Sequence, residues 1–82
     1  GAEICFSTIT EAEIFSNVRP RERDSIEALF GGLIRLPVDR QVARQGGKYR
    51  QQFRASHGLR LPDALIAATA RIYHATLVTR NV

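Results

Sequence analysis

The chain contains no methionine and no tryptophan, and Cys5 is its only cysteine. A single cysteine excludes an internal disulfide. We interpret Cys5 as a small buried apolar side chain, because neither His57 nor His74 is placed near it by the sequence to act as a base. No apolar run approaches the roughly 20 residues that span a bilayer. The sequence also lacks the pattern of a signal peptide, which is a basic segment followed by an apolar core and a small-residue cleavage site. The expected location is therefore the cytoplasm.

Several motifs with known chemistry are missing as well. The sequence has no glycine-rich dinucleotide fingerprint, P-loop, nucleophile elbow or cysteine set with zinc spacing. Lysine is scarce too, since eleven of the twelve basic residues are arginine, and the net charge is +4. Arginine binds two phosphate oxygens at once, so this bias favours a polyanionic partner. The alternative is an ordinary solvated, salt-bridged surface. The clustered arginines are Arg19, Arg21, Arg23, Arg40, Arg44, Arg50 and Arg54.

The first half of the chain predicts two strands separated by helices. Residues 3–8 are β-prone, and two helix-start signatures of the T-x-x-E type predict a helix over 11–18 that ends before Pro20. Pro20 then opens a second helix, which the glycine pair at 31 and 32 ends. Residues 33–38 read as a second strand.

The second half predicts two further helices and a strand. Asp39 is the expected N-cap of a helix that runs to about Ala55 and carries Val42, Tyr49 and Phe53 as an apolar stripe. The Gly46-Gly47 pair predicts a kink or break, because glycine costs about 1 kcal/mol against alanine inside a helix. Further helix boundaries are expected at His57-Gly58 and at Pro62, and residues 76–79 form the last strand.

This alternation of strands and helices predicts an α/β protein with a parallel sheet and helices on its faces. An 82-residue chain is one domain at most, and it buries only about 60 to 65% of its unfolded surface. Three strands are few for such a sheet, so a missing strand would matter for stability.

Two segments carry a family resemblance. Residues 61–70 read LPDALIAATA, with Asp63 in the first turn of a helix rich in small residues, and residues 76–81 read TLVTRN. They resemble the later half of a PIN domain, the metal-dependent ribonuclease fold of the VapC-type toxins. The resemblance implies a three-layer α/β/α fold that is incomplete here. Its first strand and its C-terminal helix and strand are absent, so residues 1–82 are expected to be a partial PIN domain.

The same resemblance implies a set of site residues. Asp63 and Glu13 match positions where the family places acids that hold Mg²⁺ or Mn²⁺, and Thr79 and Asn81 would line the same cleft and contact phosphate, water or an acid. Each position has a simpler explanation. Glu13 suits a capping box with Thr10. Asp63 suits a helix dipole, and the two residues near the end suit a turn.

The function implied by the resemblance is endonucleolytic cleavage of RNA by metal-activated water, with an antitoxin protein as partner. In the family the missing first strand lies at the centre of the sheet. We therefore expect a homodimer or strand-exchanged oligomer, or else a terminal strand that pairs directly with the first. Little ribonuclease activity is expected from a chain that lacks some of the acids. The alternative function is a catalytically inactive module that oligomerises or binds nucleic acid.

Overall fold

The computed structural model describes residues 4–77, which fold into two short strands, four α-helices and one 3₁₀ turn. The turn is Pro20–Glu22. The strands are β1, Cys5–Ser7, and β2, Ile34–Leu36. The helices are α1, Thr8–Phe15; α2, Arg23–Gly31; α3, Arg40–His57; and α4, Leu61–Ile72.

The strands are parallel, as the alternating pattern predicts. Cys5 pairs with Ile34 and Ser7 with Leu36. On the other side of β1, Leu77 forms a single parallel bridge with Cys5. The start of the last predicted strand therefore lies beside the first, which is the direct pairing that was one of the two expected arrangements. The α/β fold with a parallel sheet is confirmed, and the later part of the last strand, including Thr79, lies outside the described residues.

The start of α1 differs from the expectation. Ser7, the last residue of β1, is the N-cap, because its hydroxyl oxygen accepts a hydrogen bond of 3.1 Å from the Ile9 amide. The helix thus begins at Thr8 rather than at residue 11, and it ends at Phe15 rather than at 18. Neither Thr8 nor Thr10 is the cap, so the capping-box explanation of Glu13 is wrong. The prediction failed because three possible caps, Ser7, Thr8 and Thr10, stand close together, and serine is a better cap than threonine.

Helix α3 matches the prediction at its ends and contradicts it in the middle. Asp39 caps it by accepting a 2.9 Å hydrogen bond from the Val42 amide, and Gly58 closes it with a left-handed φ of 60°. The helix is continuous through Gly46-Gly47, which contradicts a break there; a kink at this position stays a prediction. Gly46 is buried where α3 and α4 approach closely, and that tertiary contact outweighs the low helix propensity of glycine.

Small and apolar side chains form the core. Its buried apolar residues are Phe6, Phe30, Val42, Ala64 and Ala68. The Phe6 and Phe30 rings pack with centroids 4.6 Å apart, which joins β1 to α2. Cys5 is only half-buried, so the interpretation of a fully buried thiol needs correction.

Helices α3 and α4 make the most extensive contact between elements and run antiparallel. At one end, the Tyr73 hydroxyl just after α4 donates a 2.7 Å hydrogen bond to Asp39 just before α3. At the other end, Leu61 shares a surface pocket with Arg50 and Arg54. None of the helices within residues 4–77 is both long and apolar enough to cross a membrane.

Candidate functional site

Asp63 lies in the first turn of α4 and is exposed to solvent. Arg60 precedes the helix without capping it through its side chain, and Pro62 occupies the first turn, where its missing amide costs nothing. The buried side of α4 is formed by Ala64, Ala68 and Thr69. Asp63 therefore stands on a helix held by small buried side chains, with its carboxylate at the solvent edge.

Glu13 lies in the last turn of α1 and is half-buried. The end of this turn is fixed by two side chains that donate to the Glu13 backbone carbonyl, the Ser16 hydroxyl at 2.7 Å and the Asn17 amide at 3.4 Å. These bonds satisfy a carbonyl that the helix end would otherwise leave open. Helix α1 packs directly on α4, so the two predicted acids stand on neighbouring helices.

Thr10 is a polar residue whose importance the sequence did not reveal. It is 1% exposed, and its hydroxyl oxygen has no hydrogen-bond partner among residues 4–77. A buried hydroxyl without a partner costs about 1 to 3 kcal/mol. Thr10 stands one turn before Glu13, so the two side chains share a face of α1. The T-x-x-E spacing was the available signal, but it was interpreted as a helix start.

The oxygen donors of these residues are of the type that a hard divalent cation such as Mg²⁺ prefers. Glu13 and Asp63 offer carboxylate oxygens, and Mg²⁺ is commonly held by one or two carboxylates together with water. Within residues 4–77, no three His, Cys, Asp or Glu side chains converge on one point. The part of the chain that the structure describes therefore supplies two candidate ligands rather than a closed cage.

The other residues considered lie near the ends of α3 and α4 or outside the described residues. Thr79 and Asn81 lie outside the described residues. His57 is the last residue of α3, as expected, and its ring contacts Phe53 and the Ser56 hydroxyl. His74 lies two residues beyond the end of α4, with a positive φ of 50°.

Asp39 has the clearest electrostatic perturbation among the described acids. The Val42 amide and, next, the Tyr73 hydroxyl donate to its carboxylate and lower its pKa below the usual 3.8. The same bond raises the pKa of Tyr73 above the usual 10.0. Both groups act in closing the α3–α4 pair, which is the N-cap role that the sequence predicts for Asp39.

An ion pair that the sequence did not predict joins α1 to β2. Arg35 Nε and Nη2 donate to the two carboxylate oxygens of Glu11 at 2.9 and 3.0 Å. The Arg35 guanidinium also lies 5.5 Å from the centre of the Phe6 ring. The partners are 24 residues apart, so no local pattern could have shown the pair. The two acids of α1 are Glu11, which this pair engages, and Glu13.

Comparison with known proteins gives a consistent result. The PIN domain model matches residues 1–82. Ribonuclease VapC19 of Mycobacterium tuberculosis is 39% identical over 83 residues, an alignment that covers 100% of this chain and 66% of that protein. Ribonuclease VapC10 of the same organism is 32% identical over 80 residues, covering 96% of this chain and 60% of that protein.

A solved structure agrees at the level of the fold. It is a toxin-antitoxin complex from Klebsiella pneumoniae, with a TM-score of 0.81 and 24% identity over 99% of this chain and 65% of that chain. The present chain thus spans slightly less than two thirds of the length of the first relatives it matches. The match over all 82 residues and the shared fold show that the chain belongs to the PIN domain family.

Proposed function

We propose that residues 1–82 are part of a PIN domain of the VapC toxin type, an endoribonuclease that depends on Mg²⁺ or Mn²⁺. The observation that carries the proposal is the 39% identity to Ribonuclease VapC19 over the whole chain. Two supporting features are the oxygen donors Glu13 and Asp63 on helices that pack together. We expect this activity in the cytoplasm, where an RNA substrate is found.

Each residue has a definite part in this proposal. Asp63 and Glu13 hold the ion through carboxylate oxygens, and Thr10 offers its hydroxyl from the same face of α1 as Glu13. Thr79 and Asn81 contact phosphate, water or one of the acids. A bound Mg²⁺ or Mn²⁺ lowers the pKa of a coordinated water and offsets charge that develops on the phosphate. The exposed position of Asp63 leaves its carboxylate accessible to a large substrate.

Two kinds of partner follow from the family. The similar solved structure from Klebsiella pneumoniae is a toxin-antitoxin complex, and we propose an antitoxin protein as the partner of this chain. A homodimer or a strand-exchanged oligomer would cover the outer edge of β2, which pairs only with β1 within residues 4–77, because exposed strand edges recruit other strands.

A second candidate function rests on the number of acids. Because no three ligand side chains converge within residues 4–77, this chain could bind nucleic acid or oligomerise without cleaving RNA. We accordingly expect the 82-residue chain to cleave RNA weakly or not at all, and added Mg²⁺ should not rescue it. Strong metal-dependent cleavage that Asp63→Asn abolishes would show that no further acids are needed.

Metal binding tests the proposal separately from cleavage. Titration of the chain with Mn²⁺, followed by electron paramagnetic resonance, should show a site that Asp63→Asn weakens by tenfold or more. Asp24→Asn is the matched control, because Asp24 is also an exposed acid in the first turn of a helix, α2. Loss of a favourable helix-dipole interaction is common to both variants. Equal Mn²⁺ affinity in the two variants would contradict the ligand role of Asp63.

A further inference from the structure

Three aromatic rings form a ladder along the second half of α3. Tyr49, Phe53 and His57 recur every four residues, with ring centroids 6.5 Å apart for the first pair and 5.5 Å apart for the second. The apolar stripe of α3 predicts that Phe53 is part of the core, as Val42 is, but its side chain is 40% exposed. A large apolar ring on the surface is therefore held in place without being covered.

This ladder borders an open apolar pocket. The pocket has a volume of about 350 Å³ and is lined by Phe53, His57 and Leu59. Arg50 fixes the loop behind it by donating a 3.4 Å hydrogen bond to the Leu59 carbonyl. The Gly58 N–H bonds to the Arg54 carbonyl at 3.0 Å and turns the chain back at this point. The pocket wall is thus built by the helix end and is not a loose loop.

Positive charge runs along the helix that carries the pocket. Helix α3 carries five Lys or Arg residues and no Asp or Glu. None of the five forms an ion pair with an acid among residues 4–77, where the ion pair is that of Arg35 with Glu11. Ion pairs among residues 4–77 therefore do not account for these arginines, and a solvated surface stays the alternative. Like charges four residues apart destabilise a helix slightly, so the helix gains no stability from this arrangement. The five residues are Arg40, Arg44, Lys48, Arg50 and Arg54.

The aromatic pocket also lies at the same end of α4 as Asp63. Arg50 and Arg54 line a second pocket of about 310 Å³ together with Leu61, the first residue of α4. Asp63 follows two residues later, about 3 Å along the helix axis at 1.5 Å per residue. Residues two apart on a helix point about 200° apart, so Asp63 and the aromatic pocket share this end of the helix pair but not one face.

We propose that Phe53 and His57, with Arg54 beside them, form a base-stacking site for an unpaired nucleotide of RNA. An exposed ring offers a face on which any base can stack, while neighbouring arginines bind the phosphates. A duplex keeps its bases stacked on one another, so the site selects single-stranded or looped RNA. This inference rests on the proposed function, which identifies the polymer as RNA. It adds that α3 carries the preference for single-stranded over duplex RNA.

Binding measurements without divalent metal test the site apart from cleavage. The probe is a short fluorescein-labelled single-stranded RNA of mixed sequence, followed by anisotropy in EDTA. Phe53→Ala should weaken binding about tenfold, the effect of losing one stacked base. Leu29→Ala is the matched control, since Leu29 is 59% exposed on α2 and should leave affinity unchanged. A duplex of the same sequence should bind more weakly and should not respond to Phe53→Ala.

A tryptophan reporter gives a second readout that does not depend on stability. The chain has no tryptophan, so in Phe53→Trp all indole emission comes from that position. This variant should keep the affinity of the original chain, and RNA should quench its emission. In Leu29→Trp the same RNA should leave the emission unchanged.

Four results would overturn the inference. One is unchanged RNA affinity in Phe53→Ala, and another is unquenched emission from Phe53→Trp when RNA is bound. The third is concentration-dependent dimerisation, measured by light scattering, that Phe53→Ala abolishes while RNA binding persists. That result would show that a second copy covers the ring. Cleavage that requires Asp63 but not Phe53 would remove the stacking site and leave the proposed function intact.

Discussion

Gly46 is buried where α3 and α4 approach closely, and it allows a sharp test of the packing. A Cβ atom built at Gly46 would lie 2.7 Å from Leu65 Cδ2 and 3.3 Å from Leu65 Cα. The first contact can be relieved by a rotation of the leucine side chain. The second involves the backbone of α4, which must move slightly to accept the added atom. Gly47 is the matched control, because a Cβ atom there meets nothing within 4 Å.

The two alanine variants separate helix propensity from packing. Both replace a glycine inside α3, which by itself stabilises the helix by about 1 kcal/mol. Gly47→Ala should show this gain in full. Gly46→Ala adds overpacking, which costs about 1 to 3 kcal/mol in a well-packed contact. The variant at Gly46 should therefore be less stable than the variant at Gly47 by about 1 to 3 kcal/mol.

Thermal unfolding followed by circular dichroism at 222 nm measures the difference. For a domain of this size 1 kcal/mol shifts Tm by about 4 to 8 °C, so Gly46→Ala should melt at least roughly 4 °C below Gly47→Ala. In a chain that already carries Leu65→Ala, Gly46→Ala should cost less stability than it does in the original chain. If the two glycine variants melt together, α3 and α4 are not packed as described.

Three further predictions concern polar contacts. Tyr73→Phe should move the pKa of Asp39 back towards 3.8, measured by NMR titration, because one of its two main donors is lost; an unchanged pKa would refute the bond. In the unmodified chain, the stability that this bond provides should be complete between about pH 4 and pH 10. It should be lost as pH falls through the lowered pKa of Asp39 or rises through the raised pKa of Tyr73. The coupling of Glu11 with Arg35 in a double-mutant cycle should be small and should shrink in high salt, since Arg35 is exposed; a coupling insensitive to salt would contradict this. Thr10→Val should raise the free energy of unfolding by about 1 to 3 kcal/mol in urea, because a buried hydroxyl without a described partner is removed; a loss of stability would show that the hydroxyl has a partner.

The sequence predicts the order and type of the elements because local chemistry determines them. Asp39 caps a helix, Gly58 ends one, and Pro62 starts the next, and each acts through its own backbone or its nearest amides. The alternation of strands and helices likewise predicts the parallel sheet. Within residues 4–77, the α/β fold could therefore be read from motifs that each span a few residues.

The errors arise where distant residues decide the outcome. Gly46 stays helical because Leu65, on another helix, needs the space. Glu11 forms an ion pair with Arg35, a residue 24 positions away, rather than acting in a helix cap. Phe53 fits the helical period of a core residue but faces solvent, because the core is filled by residues nearer the start of α3, such as Val42. Periodicity shows which face of a helix is apolar, and it does not show how far along the helix that face is covered.

The packing of α4 links stability to the candidate site. Its buried side chains are small, Ala64 and Ala68 among them, so α4 lies close to α3 and the approach is limited by Gly46 and Leu65. Any substitution that pushes the helices apart also moves the first turn of α4, which carries Asp63, relative to the aromatic ladder. Gly46→Ala should therefore weaken RNA binding as well as lower Tm. Gly47→Ala should neither weaken RNA binding nor lower Tm. Lower stability with full RNA affinity would show that the position of α4 does not control the site.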